Sequence, residues 1–144
     1  MINFNFEYPG FSLENDLQYK LWIENCIEKH ELEIAEISYT FINDEELLKI
    51  NKESLNHDFY TDIITFDQRI GDLISGDIFI SVDRVKENAK NFDVSFENEM
   101  KRVIIHGLLH IIGFDDHSDE DKKQMREQED LCIELMNNTN NITK

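Results

Sequence analysis

Hydrophobic positions along the chain change their period several times, and each change marks an element. Residues 2–6 alternate apolar and polar side chains with period two, the pattern of a short strand. From Leu13 the spacing lengthens. Leu13, Leu17, Leu21, Trp22, Ile23, Cys26 and Ile27 fall at helical intervals, with Ser12 as the expected N-cap. Ile37, Tyr39 and Phe41 then alternate with Ser38 and Thr40, which predicts a second strand. Asn43 followed by Asp44, Glu45 and Glu46 has the form of a capped helix start with acids in its first turn, and that helix should reach about Leu55. Residues 62–66 and 77–81 are β-branched and aromatic, so two more strands, with Gly71 and Gly76 expected in the flanking turns. Ser81 and Ser95 each precede a helical pattern, the second ending at Gly113. Ser118 opens a last amphipathic helix through Met125, Cys132 and Leu135.

The order β-α-β-α-β-β-α-α-α predicts one α+β domain over residues 1–144. It should contain a small mixed sheet of about four strands covered by about five helices. Residues 137–144 are polar and Asn-rich, a tail expected to fray. No repeat or linker interrupts the chain. No apolar run approaches the ~20 residues of a membrane helix, and the first residues lack a secretory signal's basic and apolar regions. A cytoplasmic protein without membrane partners is expected. Cys26 and Cys132 are far apart in sequence and sit in apolar patterns, as small buried hydrophobes do.

The chemistry concentrates at His106-Gly-Leu-Leu-His110-Ile-Ile-Gly-Phe-Asp-Asp-His117. Histidines four residues apart share one helix face, at a spacing that lets two imidazoles meet one metal ion. Their neighbours Val103, Ile104, Ile105, Leu108, Leu109, Ile111 and Ile112 make the helix apolar all round, hence buried. Imidazoles inside such a helix need partners, and a metal satisfies both. Gly113 lets the chain turn, so that Asp115, Asp116 or His117 can return as a third ligand. Three protein ligands and one open position form a catalytic metal site. Gly107 occupies the position where an H-E-x-x-H metalloprotease carries its general base, which counts against peptide hydrolysis.

This segment resembles the signature of the YbeY family, H-G-x-L-H-L-x-G-[YF]-D-H. Thr61-Asp-Ile-Ile-Thr-Phe66 is similar to that family's T-D-V-L-S-F strand, and Gly76-Asp-Ile-Phe-Ile80 to its G-D-I-x-I strand. The acidic helix after the site and Asn51, ten residues before Thr61, agree, so the likeness runs from about residue 35 to 135. It implies a single-domain, zinc-dependent endoribonuclease acting on single-stranded RNA. The implied role is ribosomal RNA maturation, chiefly at the 3′ end of the small-subunit RNA, and ribosome quality control in the bacterial cytoplasm. DNA is not an expected partner. Two positions depart from the family. Its third ligand lies six residues after the second histidine, where this chain has Asp116, with His117 one place later. Register favours Asp116, and His117 is the alternative. A loop arginine suited to phosphate is replaced by Leu55, and the nearest basic position is His57, a donor or proton shuttle in this reading.

Charge changes the picture in one respect. With 31 acidic and 14 basic residues the net charge is −17, whereas phosphate binding normally draws on a basic surface. Any such patch must be local, drawn from Lys86, Lys90, Lys101 and Arg102, with Arg69 and Arg84 as further contributors. Asp62 and Asp77 are read as strand-start residues that bond the backbone. Two alternatives therefore stand beside the nuclease: a metal hydrolase of another substrate, such as a peptide, and a non-catalytic, zinc-containing ribosome assembly factor.

Overall fold

Four strands form one sheet: β1 (Ile2–Phe6), β2 (Glu33–Ile42), β3 (Ile63–Asp67) and β4 (Leu73–Ser81). Five helices surround it: α1 (Asp16–Lys29), α2 (Asp44–Leu55), α3 (Val82–Asn91), α4 (Phe96–Ile112) and α5 (Asp119–Ile142). The computed structural model describes the backbone of residues 1–142 and the side chains of residues 1–137. The frayed tail expected over 137–144 falls largely outside those side chains, although α5 continues to Ile142.

The strand order is β1-β2-β4-β3. β1, β2 and β4 run parallel, and β3 returns antiparallel along β4 as an edge strand. This is the mixed α+β sheet read from the pattern. Period-two alternation gives the sheet two different faces. Ile37, Tyr39 and Phe41 of β2 and Ile74, Ile78 and Ile80 of β4 are fully buried, in one core with Trp22, Ile23 and Ile27 of α1 and Val103, Ile104 and Leu108 of α4. The other face carries a smaller cluster, Ile42, Leu47 and Ile64, with Ile50, Phe66 and Phe79 around it. Helix α4 is tied to the sheet by polar bonding as well, since the buried Tyr39 hydroxyl donates to the Ile104 carbonyl at 3.0 Å. The Trp22 indole N–H donates to the Cys132 carbonyl and so joins α1 to α5. Cys26 and Cys132 are both free and buried, as expected.

Several predicted caps form. Asn43, Ser81 and Ser95 accept from the backbone N–H groups of Glu46, Arg84 and Asn98, and Ser118 from that of Asp121. Ser12 does not. The chain turns at Gly10, with φ +78°, and Phe11 packs against Phe41 and Phe96 at ring distances of 5.3 and 5.9 Å. That anchoring delays α1 to Asp16, and its N-cap Asn15 makes no side-chain bond. The buried stripe of α1 is Tyr19, Trp22, Ile23, Cys26 and Ile27, while Leu17 and Leu21 face solvent. β4 also starts four residues earlier than the pattern suggested and takes in Gly76, which is no turn residue. A Cβ there would stand 2.6 Å from the Phe66 carbonyl oxygen and 2.9 Å from Ile111 Cδ1, so the glycine permits close approach of β3 and α4.

Candidate metal centre

Helix α4 places the first two site residues. His106 and His110 lie one turn apart, both half-buried, with the apolar remainder of the helix in the core. Gly107 between them explains how the helix sits so low on the sheet. A Cβ at this position would meet Ile63 Cδ1 at 2.8 Å, Thr65 Oγ1 at 3.1 Å and Ile78 Cγ2 at 3.2 Å. A glutamate has no room here, so the absence of a zincin-type base is a packing requirement of this fold. The helix stops at Gly113, whose φ of +128° favours glycine. Arg69 closes the end: its Nη1 donates to the Ile112 carbonyl at 2.6 Å and the Ile111 carbonyl at 3.4 Å. The turn then carries Asp116 back over the two imidazoles.

The three side chains converge. His106 Nε2 and His110 Nε2 are 3.0 Å apart, and Asp116 Oδ2 lies 3.4 Å from the first and 3.5 Å from the second. The opposite edge of each ring is already committed. His106 Nδ1 meets Glu129 Oε2 at 2.7 Å, and His110 Nδ1 meets the Phe114 carbonyl oxygen at 3.0 Å. Both partners are acceptors, so both Nδ1 atoms donate, and a neutral ring then presents a bare Nε2 lone pair. Two Nε2 atoms 3.0 Å apart beside a carboxylate call for a proton or a metal ion between them. Ligands ~2.0–2.1 Å from one zinc ion lie roughly 3.3 Å apart at tetrahedral angles, close to the separations found. Donor types, tautomers and spacing all fit a metal ion, and His106, His110 and Asp116 are the one such group among the described residues.

Glu129 supports this centre from α5. It is a buried carboxylate whose other oxygen accepts from Arg102 Nη1 at 2.8 Å, while Arg102 Nη2 bonds Asp130 at 2.8 Å. Burial alone would push the pKa of His106 down. The hydrogen bond and charge of Glu129, with the charges of Asp116 and Asp62, outweigh that effect and hold it above the usual histidine range.

Two clefts meet at the centre. One, of about 480 Å³, runs beneath the α2–β3 loop past His57, Phe59 and Thr65. The other, of about 340 Å³, is bounded by Phe92, Glu99, Lys122 and Arg126. Asp62, Ile63, His106 and Asp116 border both.

Residues 9–137 match the family model described as Endoribonuclease YbeY. The chain belongs to the YbeY family. A relative from Flavobacterium johnsoniae named Endoribonuclease YbeY is 54% identical over 135 residues, covering 94% of this chain and 96% of the relative. One of the same name from Porphyromonas gingivalis is 42% identical over 141 residues, covering 96% and 93%. The solution structure of TM1509 from Thermotoga maritima superposes with a TM-score of 0.71 at 29% identity, covering 94% of this chain and 89% of that one.

The residues read from sequence separate into three groups. His106, His110 and Asp116 come together, while the alternative His117 is exposed and outside their cluster. His57 is exposed and borders the larger cleft without joining the metal group. Arg69, Arg84 and Arg102, candidates for a basic patch, are instead bonded to the end of α4, to Asp44 and to Glu129 with Asp130. Two functional neighbours escaped sequence reasoning. Glu129 lies in an acidic helix where nothing marks one glutamate from the next, except that it falls on the buried stripe with Met125 and Cys132. Asp62, read as a strand-start residue, does receive the Ser81 N–H on its own carbonyl at 2.9 Å, but its carboxyl accepts from Asn88 Nδ2 at 3.4 Å and the residue borders both clefts at the centre. Burial raises the pKa of that carboxyl, and the charge of His106 opposes the rise.

Proposed function

We propose that this protein is a zinc-dependent, single-strand-specific endoribonuclease of ribosomal RNA maturation and ribosome quality control, working in the cytoplasm on the ribosome or its RNA, not on DNA. The observation that carries the reading is the convergence of two Nε2 lone pairs and one carboxylate oxygen at the junction of two open clefts, in a chain of the YbeY family. Two imidazoles and one carboxylate are borderline ligands that suit zinc, and three protein ligands leave a position free.

His106, His110 and Asp116 would hold the ion. Zinc chemistry at such a site is Lewis acidity toward a phosphoryl oxygen and the acidification of water. The chain's own groups do the rest. Glu129 and the Phe114 carbonyl keep the protons on Nδ1, so that the Nε2 atoms stay free to ligate. Arg102 holds Glu129 in place through its fork. Asp62, whose pKa burial raises, borders both clefts and in its ionised form would take up the proton of an attacking water. No described helix is long and apolar enough to cross a membrane.

The test uses purified protein, a single-stranded RNA and a chelator. Cleavage should require metal, return on addition of zinc, and vanish in His110→Ala. Cleavage that survives His110→Ala, or turnover of casein under conditions where RNA is untouched, would overturn the reading.

A further inference from the structure

Each cleft that meets the metal centre carries a large aromatic ring that the fold leaves facing solvent. Phe59 is 55% exposed in the larger cleft, and Phe92 is 62% exposed in the smaller. Single exposed apolar residues are common on protein surfaces, and these two are set apart by bordering the clefts at the metal centre. Neither ring is loosely attached. Asn51, itself buried, pins the α2–β3 loop at two points: its Nδ2 donates to the Phe59 carbonyl at 2.9 Å, and its own carbonyl accepts from His57 N–H at 3.1 Å. These bonds hold the His57 imidazole against the Phe59 ring, nearly parallel at 23° with centroids 5.2 Å apart. The next aromatic, Tyr60, is occupied elsewhere: its hydroxyl donates to Glu45 at 2.6 Å, and the Arg84 guanidinium covers its ring at 5.5 Å. Phe92 is fixed as the C-cap residue of α3, its backbone N–H bonded to the Asn88 carbonyl at 2.9 Å.

The charge distribution says what such rings are for. The chain carries a net charge of −17, and Leu55 ends α2 beside the larger cleft. Arg69, Arg84 and Arg102 are all committed to internal bonds. The lining of the larger cleft has no Lys or Arg, and the smaller has Lys122 and Arg126 beside the paired Arg102, so phosphate contacts serve a polyanion poorly on the larger side. Stacking on bases does not depend on charge and works for any base, because each has a π-face. Bases can reach such rings only when they are unstacked and turned outward, as in single strands.

We propose that the His57–Phe59 pair and Phe92 are base-stacking platforms. They would seat one unpaired nucleotide on each side of the phosphate presented to the metal centre. The proposal rests on the nuclease reading above and adds how this chain grips its substrate. It makes His57 part of a binding surface, with no proton-transfer role required.

The experiment is steady-state cleavage of a short single-stranded RNA by the zinc-loaded protein and by Phe59→Leu, Phe59→Trp, Phe92→Leu and Phe92→Trp. Leucine keeps apolar volume and loses the π-face; tryptophan restores it. Each leucine variant should raise KM about five- to hundred-fold with little change in kcat, and each tryptophan variant should return KM toward wild type. An oligonucleotide with one abasic site beside the cleavage position should bind wild type as weakly as it binds one of the leucine variants, because the stacking partner is gone from both. Leucine variants with wild-type KM, or losses equally large on the abasic RNA, overturn the platforms while leaving the nuclease intact. RNA that the wild type does not cleave overturns the nuclease reading and the platforms together. Self-association of the wild type that Phe92→Leu abolishes would assign that ring to a second copy and overturn its role on RNA.

Discussion

Glu129→Gln tests the metal centre through a residue that never touches the metal. Glu129 offers one oxygen to His106 Nδ1 at 2.7 Å and the other to Arg102 Nη1 at 2.8 Å, and both neighbours are donors. Glutamine has one acceptor and one NH₂ group, so it can serve only one side. If the amide oxygen faces Arg102, the NH₂ faces His106 Nδ1 and forces that ring to carry its proton on Nε2, where it blocks the metal. If the oxygen faces His106, the NH₂ meets the guanidinium donor to donor. A buried group left unsatisfied costs about 1–3 kcal/mol. Loss of a carboxylate that orients a ligating histidine weakens metal binding about 10- to 100-fold, or about 1.4–2.7 kcal/mol. Zinc affinity should be measured by competition with a fluorescent chelator on metal-stripped protein, with far- and near-UV circular dichroism to verify the fold. A folded Glu129→Gln protein that binds zinc as tightly as wild type and is no less stable in urea would refute the tautomer reasoning and, with it, the orienting role of α5.

Three further outcomes are expected. Asp116→Ala should lose more zinc affinity than Glu129→Gln does, and His117→Ala should keep full metal content by elemental analysis; the reverse pattern would move the third ligand to His117. Gly76→Ala should destabilise the fold by about 1–3 kcal/mol in urea, because the Phe66 carbonyl oxygen 2.6 Å from the new Cβ is backbone and cannot swing aside. The Tyr8 hydroxyl, 2.6 Å from Asp83, and the Asp44 N–H hold the Asp83 carboxyl below its usual range. A depressed carboxylate stabilises the fold above its ordinary pKa, and that contribution is lost as pH falls through the lowered value. Tyr8→Phe should therefore lower stability at pH 7 by about 0.5 kcal/mol after solvent screening, and the difference should close in acid; a pH-independent difference would discredit this account.

The sheet and the ligand segment were legible in the chain because both are written in local periodicity. Alternation in residues 37–41 and the β-branched and aromatic run at 77–81 named the central strands, and the four-residue histidine spacing named the face on which the two imidazoles meet. What stayed hidden depends on residues distant in sequence. The start of α1 is set by Phe11 reaching Phe41 and Phe96, and the role of Gly76 is set by a carbonyl on β3. The ordering of His106 by Glu129 spans 23 residues and joins two helices. Register in the turn after Gly113 did point to Asp116, since three residues of chain leave little freedom in where that side chain lands. The basic residues were legible as charges, and their internal partners were not.

The burial of α4 divides the site between two kinds of motion. Ten residues of that helix are buried against the sheet and α5, so its amide protons should exchange with solvent only when the whole molecule opens. The end of α2 and the α2–β3 loop across the larger cleft are exposed from Lys52 to Tyr60 and should open locally at far lower free energy. On warming, grip on substrate should then fade before the ligand cluster does. An enzyme assayed at saturating substrate would keep its turnover almost to the unfolding temperature, while one assayed at scarce substrate would fail several degrees earlier.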